Sequence, residues 1–514
     1  MKKLLLLTLP LLLLASDADL KKEIESLKER ILKLEQMIMK SSTNTSQQVT
    51  NEKIIKLEKQ VNNNKLDLEE VFPTLDTVER KSILDKINFS PEIELRLDQM
   101  DYSLGKISGE NTKIYNHRDA SLNGKQRRDE YSKDFKPAGL IRVRLNMNAE
   151  LDKDVNFHGR MLFVQSSQTD ERLCILSRDI KSKSANSAFT LDRAYIDYKA
   201  NEDFTFSFGL LPTTGGTPMH FAQNTQRKSM FPALVFDMNT YGIIGTQKFG
   251  DDTYARAIMA KGYTLRDDCY SYQCNRENID NANVFGLYFD TKIDALGDSL
   301  VSFGVNMLND FKAHPFLGPD IDSAYAQNLG NMYTLGFGVD STNIADSGLT
   351  IFAHTAMSIP DGNGKKDDYQ IVAIPNANPS LNQDLSDGLT ASGHSGFSEA
   401  DYAQGKMLSD NGYSVYLGGK YSILPSLDFG TEYNYGSKYW FSATQGAEDV
   451  YNKLATRGHV GEAYLLWQFH KHINAKIGYM YTKENYTGSG WHFGEPASKD
   501  GKQQISYINI SAKY

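Results

Sequence analysis

Most of the chain alternates apolar and polar side chains with a period of two residues. In GLIRVRLNMNAE (residues 139–150), Ile141 and Val143 fall on one face, whereas Arg142 and Arg144 fall on the other. Successive side chains of a β-strand point to opposite faces of the sheet, so this period predicts strands with one apolar and one polar face. The period persists from residue 89 onward, and this part of the chain is therefore predicted to be all-β.

About sixteen strands are predicted, an even number typical of closed outer-membrane barrels. Short links such as LDKD, ANED, FGDD, SILPS and HKH alternate with long polar connections. This alternation predicts a transmembrane antiparallel up-and-down β-barrel over residues 89–514, with both of its ends on the periplasmic side, where the short turns lie. The prolines beyond Pro91 are expected in connections, because a closed ladder uses every backbone N–H. The predicted strands are residues 93–97, 139–150, 155–165, 190–199, 204–210, 241–249, 254–260, 284–290, 301–307, 332–339, 350–357, 413–421, 427–435, 460–469, 473–481 and 505–514.

A different period precedes the barrel and predicts a helix. Apolar residues recur at alternating steps of four and three, which is the pattern of a coiled-coil seam. They are Leu20, Ile24, Leu27, Ile31, Leu34 and Ile38. The polar run SSTNTSQQ interrupts this seam, and a weaker one resumes at Ile54. Residues 19–72 are therefore predicted to form an α-helical coiled coil, and residues 73–88 a linker. The alternative is a helix that lies on its own domain, and the order of Ile and Leu favours two strands over three.

The first residues have the pattern of a secretory signal. Two lysines precede an apolar run over residues 4–14, and the small residues Ser16 and Ala18 follow it. This order predicts a signal peptide over residues 1–18. No later stretch approaches the roughly 20 apolar residues that a membrane helix needs, so we expect any membrane crossing to be made by strands.

Composition and charge argue against several kinds of partner. The formal net charge is −8 and 23% of the residues are charged, so no bulk positive charge is available to bind a nucleic acid. The 28 tyrosines, 25 phenylalanines and 39 glycines are typical of strands and turns. Three cysteines are too few for a disulfide framework. In an oxidising compartment Cys269 and Cys274 could close a small loop, which would leave Cys174 unpaired.

The last residues, QQISYINISAKY, keep the strand period to the end of the chain. Ile508, Ile510 and Tyr514 fall on the apolar face. A terminal aromatic residue after alternating apolar residues resembles the sorting signal that the outer-membrane assembly machinery of Gram-negative bacteria reads, although many such signals end in Phe. In a closed barrel the last strand pairs with the first, so neither strand leaves a free edge.

The whole layout resembles that of porins, in particular phosphate-selective porins and a porin-like family of epsilon-class proteobacteria. The resemblance implies a homotrimer of water-filled barrels in the outer membrane lipid, with coiled coils joined in the periplasm and the third long connection folded into each lumen. That connection begins at LLPTTGG, where Gly215 and Gly216 suit a sharp inward bend. Arg227 and Lys228 would then lie beside the path of a solute. The alternative is that this connection covers the mouth of the barrel.

The strand period assigns charged side chains to the inner face of the barrel, where they set the field that a solute meets. Opposed basic and acidic walls would produce a transverse field, and the alternative is internal ion pairing that stiffens the barrel. The basic positions are Arg142, Arg144, His158, Arg160, Arg193 and Lys199. The acidic positions are Glu92, Glu94, Asp98, Glu432 and Glu462.

These patterns predict a porin that allows passive diffusion of small hydrophilic solutes or ions. No serine partners the inward histidines, and DGNGKKDD lacks the ligand alternation of a calcium loop. We therefore expect no enzymatic activity, no metal and no cofactor. The alternative function is a surface-display or envelope-tethering barrel with a plugged lumen, for which the long connection between Met357 and Tyr413 would supply the binding surface.

Overall fold

The chain divides into two compact units, Met1–Leu84 and Asp85–Tyr514. In the first unit, residues 28–33 and 36 are helical and exposed. The predicted signal peptide, most of the predicted coiled coil, nearly all of the linker and the three cysteines lie outside the described residues. No helix among the described residues is long and apolar enough to cross a membrane. The computed structural model describes residues 28–33, 36, 87–104, 131–166, 187–261, 283–294, 297–310, 328–372, 402–444, 449, 451–486, 496 and 498–513.

Strands make up most of the described part of the second unit. They are β1 (Ile87–Leu104), β2 (Tyr131–Asp152), β3 (Val155–Ser166), β4 (Ser187–Lys199), β5 (Phe204–Leu210), β6 (Tyr241–Phe249), β7 (Thr253–Lys261), β8 (Asn283–Ile293), β9 (Asp298–Asn309), β10 (Gly330–Thr342), β11 (Leu349–Gly362), β12 (Lys366–Val372), β13 (Tyr402–Lys406), β14 (Gly412–Leu424), β15 (Leu427–Gly436), β16 (Gly458–His470), β17 (Ile473–Tyr486) and β18 (Ser498–Lys513). One short helix, α1 (Met219–Gln223), and two 3-10 turns, Ile344–Asp346 and Lys453–Ala455, lie in connections.

Sixteen of these strands form a single closed antiparallel barrel, which confirms the predicted all-β fold and its number of strands. Each barrel strand pairs with its neighbours in chain order, except that β11 pairs directly with β14. The two remaining strands, β12 and β13, form a separate hairpin within the connection between β11 and β14. The sequence did not predict this hairpin, because its strands are short and polar.

The barrel closes between β1 and β18. Their register runs from Glu92 opposite Lys513 to Leu104 opposite Gly501, and β18 pairs with β17 along its other edge. Every barrel strand thus has two partners, so the backbone N–H and C=O groups along both edges find acceptors and donors. The predicted pairing of the last strand with the first is part of this closed topology.

The two faces of the sheet differ in polarity as the period of two predicts. Large apolar side chains on the outer face are exposed, such as Leu287 and Ile477. Inward side chains are buried and include many charged groups, such as Arg142 and Glu432. A water-soluble protein has the opposite distribution, because it buries its apolar side chains and leaves its charges in water.

The connections alternate in length, which places the short turns together at one end of the barrel. Short turns follow β2, β4, β6, β8, β10, β14 and β16, and long connections follow the other barrel strands. In the turn after β6, Gly250 has a φ of 66°, a conformation that glycine adopts without steric cost. β1 starts and β18 ends at the short-turn end, so both ends of the barrel lie there.

Among the prolines that the structure describes, two depart from the expectation that those beyond Pro91 lie in connections. Pro137 lies within β2 and Pro360 lies within β11. At Pro137 the pairing of β1 and β2 shifts, because Asp98 faces Ala138 whereas Met100 faces Phe135. This shift is a β-bulge. The ladder of backbone hydrogen bonds is already irregular there, so the missing N–H of proline costs no regular hydrogen bond. Pro360 lies beyond Ser358, the last residue of β11 that pairs with β14. No hydrogen bond to β14 is therefore required of its nitrogen.

Candidate functional site

The third long connection, residues 211–240, lies inside the barrel; we call it loop 3. The hydroxyl of Thr217 donates a hydrogen bond to Asp340 on β10. Lys228 Nζ lies 3.4 Å from Glu92 Oε2 on β1, which is almost opposite β10 in the barrel. Asn224 Nδ2 also donates to Gln468 Oε1 on β16 at 3.1 Å. Contacts to strands on several sides of the barrel show that loop 3 crosses the lumen rather than covering the mouth.

Close packing of its backbone turns loop 3 inward. Gly215 has a φ of 78°, and its N–H donates to Asp237 Oδ1 at 2.7 Å. A Cβ atom at Gly216 would lie 1.7 Å from the carbonyl oxygen of Phe231, so only glycine fits there. The two glycines predicted to bend the chain therefore lie where the two arms of loop 3 meet.

Apolar side chains of loop 3 fill one side of the lumen. Phe231 packs edge-on against Tyr288 of β8, with ring centroids 4.5 Å apart. Phe221 stacks on Phe352 of β11 at 5.9 Å. These residues belong to one buried cluster that spans the inner faces of β6 to β11 and β14. This cluster leaves the remaining free space of the lumen against the other side of the barrel.

A second connection also enters the lumen, which the sequence analysis did not predict. We call residues 437–457 loop 7, of which 437–444, 449 and 451–457 are described. Trp440 is 1% exposed and its indole N–H donates to the carbonyl of Leu454 at 2.8 Å. The backbone N–H of Asp237 in loop 3 donates to the carbonyl of Ala443 in loop 7 at 2.9 Å. The apolar pair Trp440 and Phe441 in an otherwise polar connection is the signal that could have revealed this packing.

Lys453 joins loop 7 to two carboxylates of the barrel wall. Its ammonium contacts Glu432 of β15 and lies 2.6 Å from Glu462 Oε2 of β16. Burial disfavours the charged form, but the attraction of the two carboxylates outweighs it and holds the pKa of Lys453 well above its usual value. Glu462 also accepts a hydrogen bond from Lys476 Nζ of β17 at 2.9 Å. Lys453 is thus a cation between two anions, and these ion pairs bind loop 7 to the barrel wall.

A polar space lies between the two loops and the wall formed by β1, β2 and β16 to β18. Charged groups of both signs line it, together with tyrosine and asparagine side chains. Among the described residues, those that line it include Glu92, Glu94, Arg96, Arg142, Arg144, Lys228, Lys453, Glu462, Lys476, Tyr507 and Asn509. Arg96 and Lys476 were not among the predicted site residues, although the strand period places both on the inner face.

The predicted basic and acidic walls are not opposed across this space. Glu92 faces Arg144 and Glu94 faces Arg142 in the register of β1 and β2. The nearest charged atoms lie 3.7 Å apart in the first pair and 3.5 Å apart in the second. The prediction of a transverse field from these residues is therefore wrong, because adjacent strands carry both signs. The alternative, ion pairing along the wall, describes the observed arrangement.

The other predicted basic residues are spread over β3 and β4, and among the described residues none of them lines the polar space. Arg160 forms a buried ion pair with Asp192. Arg193 donates to the carbonyls of Thr214 at 2.6 Å and Lys228 at 2.9 Å, so it supports loop 3.

Among the described residues, His158 and Lys199 form no hydrogen bond or ion pair with Asp192 or loop 3. His158 Nε2 lies 3.2 Å from Asp197 Oδ2, and the histidine ring stacks on Tyr195. Lys199 is exposed at the end of β4.

The remaining predicted residues divide between wall, loop and outer face. Asp98 accepts hydrogen bonds from Arg96 and from the hydroxyl of Tyr451 in loop 7, and it is buried. Glu432 is buried behind Lys453.

Arg227 pairs with Asp290 of β8 at 3.2 Å, away from the polar space, whereas Lys228 lines it. Ile508 and Ile510 are 45% and 41% exposed on the outer face. Tyr514 and the predicted Cys269–Cys274 pair lie outside the described residues. In the described part of the chain, no group of three His, Cys, Asp or Glu could hold a metal ion.

Comparisons with known proteins give one family and several solved structures of low sequence identity. The model of a family described as "Protein of unknown function (DUF3373)" matches residues 140–512. A comparison with curated proteins finds no match. Pseudomonas putida OprB is 9% identical, with a TM-score of 0.46, over 85% of this chain and 96% of its own. The outer membrane channel DcaP of Acinetobacter baumannii is 13% identical, with a TM-score of 0.40, over 83% and 97%. A mutant of Rh. blastica porin is 10% identical, with a TM-score of 0.38, over 83% and 100%.

Proposed function

The chain belongs to the DUF3373 protein family, and we propose that it is an outer-membrane porin that lets small hydrophilic solutes or ions diffuse passively through its lumen. One observation carries this proposal. The barrel exposes apolar side chains on its outer face and surrounds a space lined by charged side chains on its inner face. Lipid hydrocarbon around the barrel would suit the apolar outer face, and a hydrated lumen would suit the charged inner face.

Closure of the barrel supports a position in a membrane. An unpaired backbone group in hydrocarbon costs several kcal/mol, so strands can cross a bilayer only as a closed barrel. The long connections would then face outward and the short turns the periplasm, as in bacterial outer-membrane barrels. Charged groups along β1, β2, β16 and β17 would supply the hydrated path.

The proposal includes finer points that rest on sequence patterns. We propose a signal peptide over residues 1–18, a periplasmic coiled coil over residues 19–72 and a homotrimer in the outer membrane. We also propose that the assembly machinery reads the last strand through Ile508, Ile510 and Tyr514. No catalytic activity and no cofactor are part of this proposal.

The second candidate function, a surface-display or envelope-tethering barrel with a plugged lumen, is favoured by one observation. Loops 3 and 7 together bury a large apolar cluster inside the barrel. The polar space that remains against β1, β2 and β16 to β18 favours the porin.

Conductance of the purified full-length protein in a planar lipid bilayer tests the proposal. We expect current steps of uniform size in potassium chloride, and swelling of vesicles in small sugars. Extraction of cell envelopes with sodium carbonate should leave the protein in the membrane fraction. Absence of current steps in several salts would refute the porin and favour the plugged barrel. Release by carbonate would refute both, because each requires a barrel that crosses the membrane.

A further inference from the structure

Loop 7 faces loop 3 across the polar space and contributes side chains to it. Asp449, Tyr451 and Lys453 of loop 7 line the space, as do Gln223 and Lys228 of loop 3. The two loops also join each other away from this space, where Asp237 and Thr444 form a backbone bridge and a hydrogen bond of 3.1 Å. The width of the space therefore depends on the position of both loops.

Side-chain contacts bind loop 7 to the wall at two places. The hydroxyl of Tyr451 donates to Asp98 on β1, and the ring of Tyr451 lies 5.0 Å from the guanidinium carbon of Arg96. Lys453 binds Glu432 and Glu462 on β15 and β16. The segment around Tyr451 and Lys453 thus spans from one side of the open wall to the other.

The wall carboxylates also accept hydrogen bonds from residues of the wall itself. Glu432 also accepts hydrogen bonds from the hydroxyls of Tyr416 and Tyr464. Glu462 also accepts from Lys476 and from the hydroxyl of Tyr507. Without Lys453 both carboxylates would keep hydrogen-bond donors, but loop 7 would lose its charged contact and the space would lose one positive charge.

We propose that loop 7 is a second constriction element, that Lys453 is the residue that positions it, and that this lysine shifts the ion preference of the path towards anions. The inference rests on the proposed porin function. Tyr451 would then contact the permeating solute from one side, where the charge of Lys453 acts on it, and loop 3 would contact it from the other. A constriction formed by two loops makes both conductance and ion preference depend on a residue outside loop 3.

Single-channel recording of Lys453→Met in the full-length protein tests this inference. We expect a conductance about twofold above that of the unaltered protein and a reversal potential shifted towards cations in a salt gradient. Lys453→Arg should retain both values, because it keeps the charge between the two carboxylates. Lys438→Met is the matched control, since it removes the same charge from loop 7 at a residue whose ammonium contacts Tyr439.

The outcomes separate the inference from the proposed function. Current steps that are identical in Lys453→Met and in the unaltered protein would overturn the inference and leave the porin intact. Absence of steps in the unaltered protein would overturn both.

If Lys453→Met fails to assemble, a second variant tests whether loop 7 lines the path. It carries Tyr451→Cys and has its three native cysteines replaced by serine. A cationic thiol reagent added to this open channel should reduce the current if Tyr451 lines the path, and an unchanged current would overturn the inference.

Discussion

The ring of Tyr507 lies across Gly478 of the neighbouring strand, and the two residues are register partners of β18 and β17. A Cβ atom at Gly478 would lie 2.3 Å from Oη and 2.4 Å from Cζ of Tyr507. The tyrosine hydroxyl donates to Glu462, and the guanidinium carbon of Arg96 lies 4.1 Å from the centre of the ring. The absent side chain at Gly478 thus allows an aromatic ring to lie along the wall instead of projecting into the polar space.

Gly478→Ala should displace this ring into the lumen. The added methyl group cannot share the space of the Tyr507 ring, and such overpacking typically costs about 1–3 kcal/mol. We expect a lower free energy of unfolding in urea and a lower single-channel conductance. Gly461→Ala on β16 is the control, because a Cβ atom there would meet no atom within 4 Å. Equal conductance in the two variants would contradict the prediction.

Asp192→Ala should destabilise the barrel by removing the carboxylate that a buried cation contacts. Arg160 Nε donates to Asp192 Oδ2 at 2.6 Å, and both side chains are buried. Loss of one member of a buried ion pair typically costs about 3–5 kcal/mol. Unfolding by urea in lipid vesicles, followed by the fluorescence of the three tryptophans, measures this loss.

Asp251→Ala provides the matched control for this ion pair. Asp251 pairs with Lys248 at 3.0 Å but is 94% exposed in a short turn. An exposed pair of this kind contributes only about 0–1 kcal/mol, so the free energy of unfolding should hardly change. Equal losses in the two aspartate variants would show that burial of the Arg160 pair does not stabilise the barrel.

The strand period predicted the wall because the direction of a strand side chain is a local property. Once residue 142 is assigned inward, the period assigns Arg144 and Asn146 as well, and the structure has all of them on the inner face. Opposed charges were predicted wrongly because the positions of the walls depend on which strands become neighbours. β1 and β2 are consecutive strands that pair with each other, so Glu92 and Glu94 meet Arg144 and Arg142 directly.

Loop 7 could not be predicted in the same way, because its position depends on packing between segments distant in sequence. Lys453 follows no strand period and finds its two carboxylates only after β15 and β16 pair, with Glu432 opposite Glu462. Two adjacent carboxylates on neighbouring strands repel each other unless a cation lies between them. Glu432 and Glu462, predicted to lie inward on neighbouring strands, could have indicated that a cation from another segment lies between them.

Leu287→Arg should destabilise the barrel in a bilayer if the outer face contacts lipid. Leu287 is 61% exposed near the middle of β8, where an arginine would enter the hydrocarbon. Such a substitution costs about 2–4 kcal/mol at the midplane of a bilayer and about 0–1 kcal/mol near its surface. Ile293→Arg, on the same face at the end of β8, is the control and should change stability little. Equal effects of the two substitutions in urea titrations of vesicle-bound protein would contradict a lipid-facing outer surface.

His220 of loop 3 should make the stability of the folded protein depend on pH. Burial lowers the pKa of His220 to about 4; the attraction of Asp340 opposes this shift, and Arg227 adds to it. Among the described residues, no hydrogen-bond partner is found for Nδ1 of this ring. Between pH 6.5 and pH 4 the unfolded chain therefore binds a proton at His220 that the folded protein does not bind.

The sign follows from this difference in bound protons. The contribution of His220 to the free energy of unfolding should be constant above about pH 6.5. It should fall by up to about 3 kcal/mol as the pH is lowered to 4. His220→Gln cannot bind the proton, so the difference in stability between pH 7 and pH 4 should be smaller in this variant. His470→Gln, at an exposed histidine beside a short turn, should retain the full difference. Identical pH profiles for His220→Gln and the unaltered protein would contradict the lowered pKa of His220.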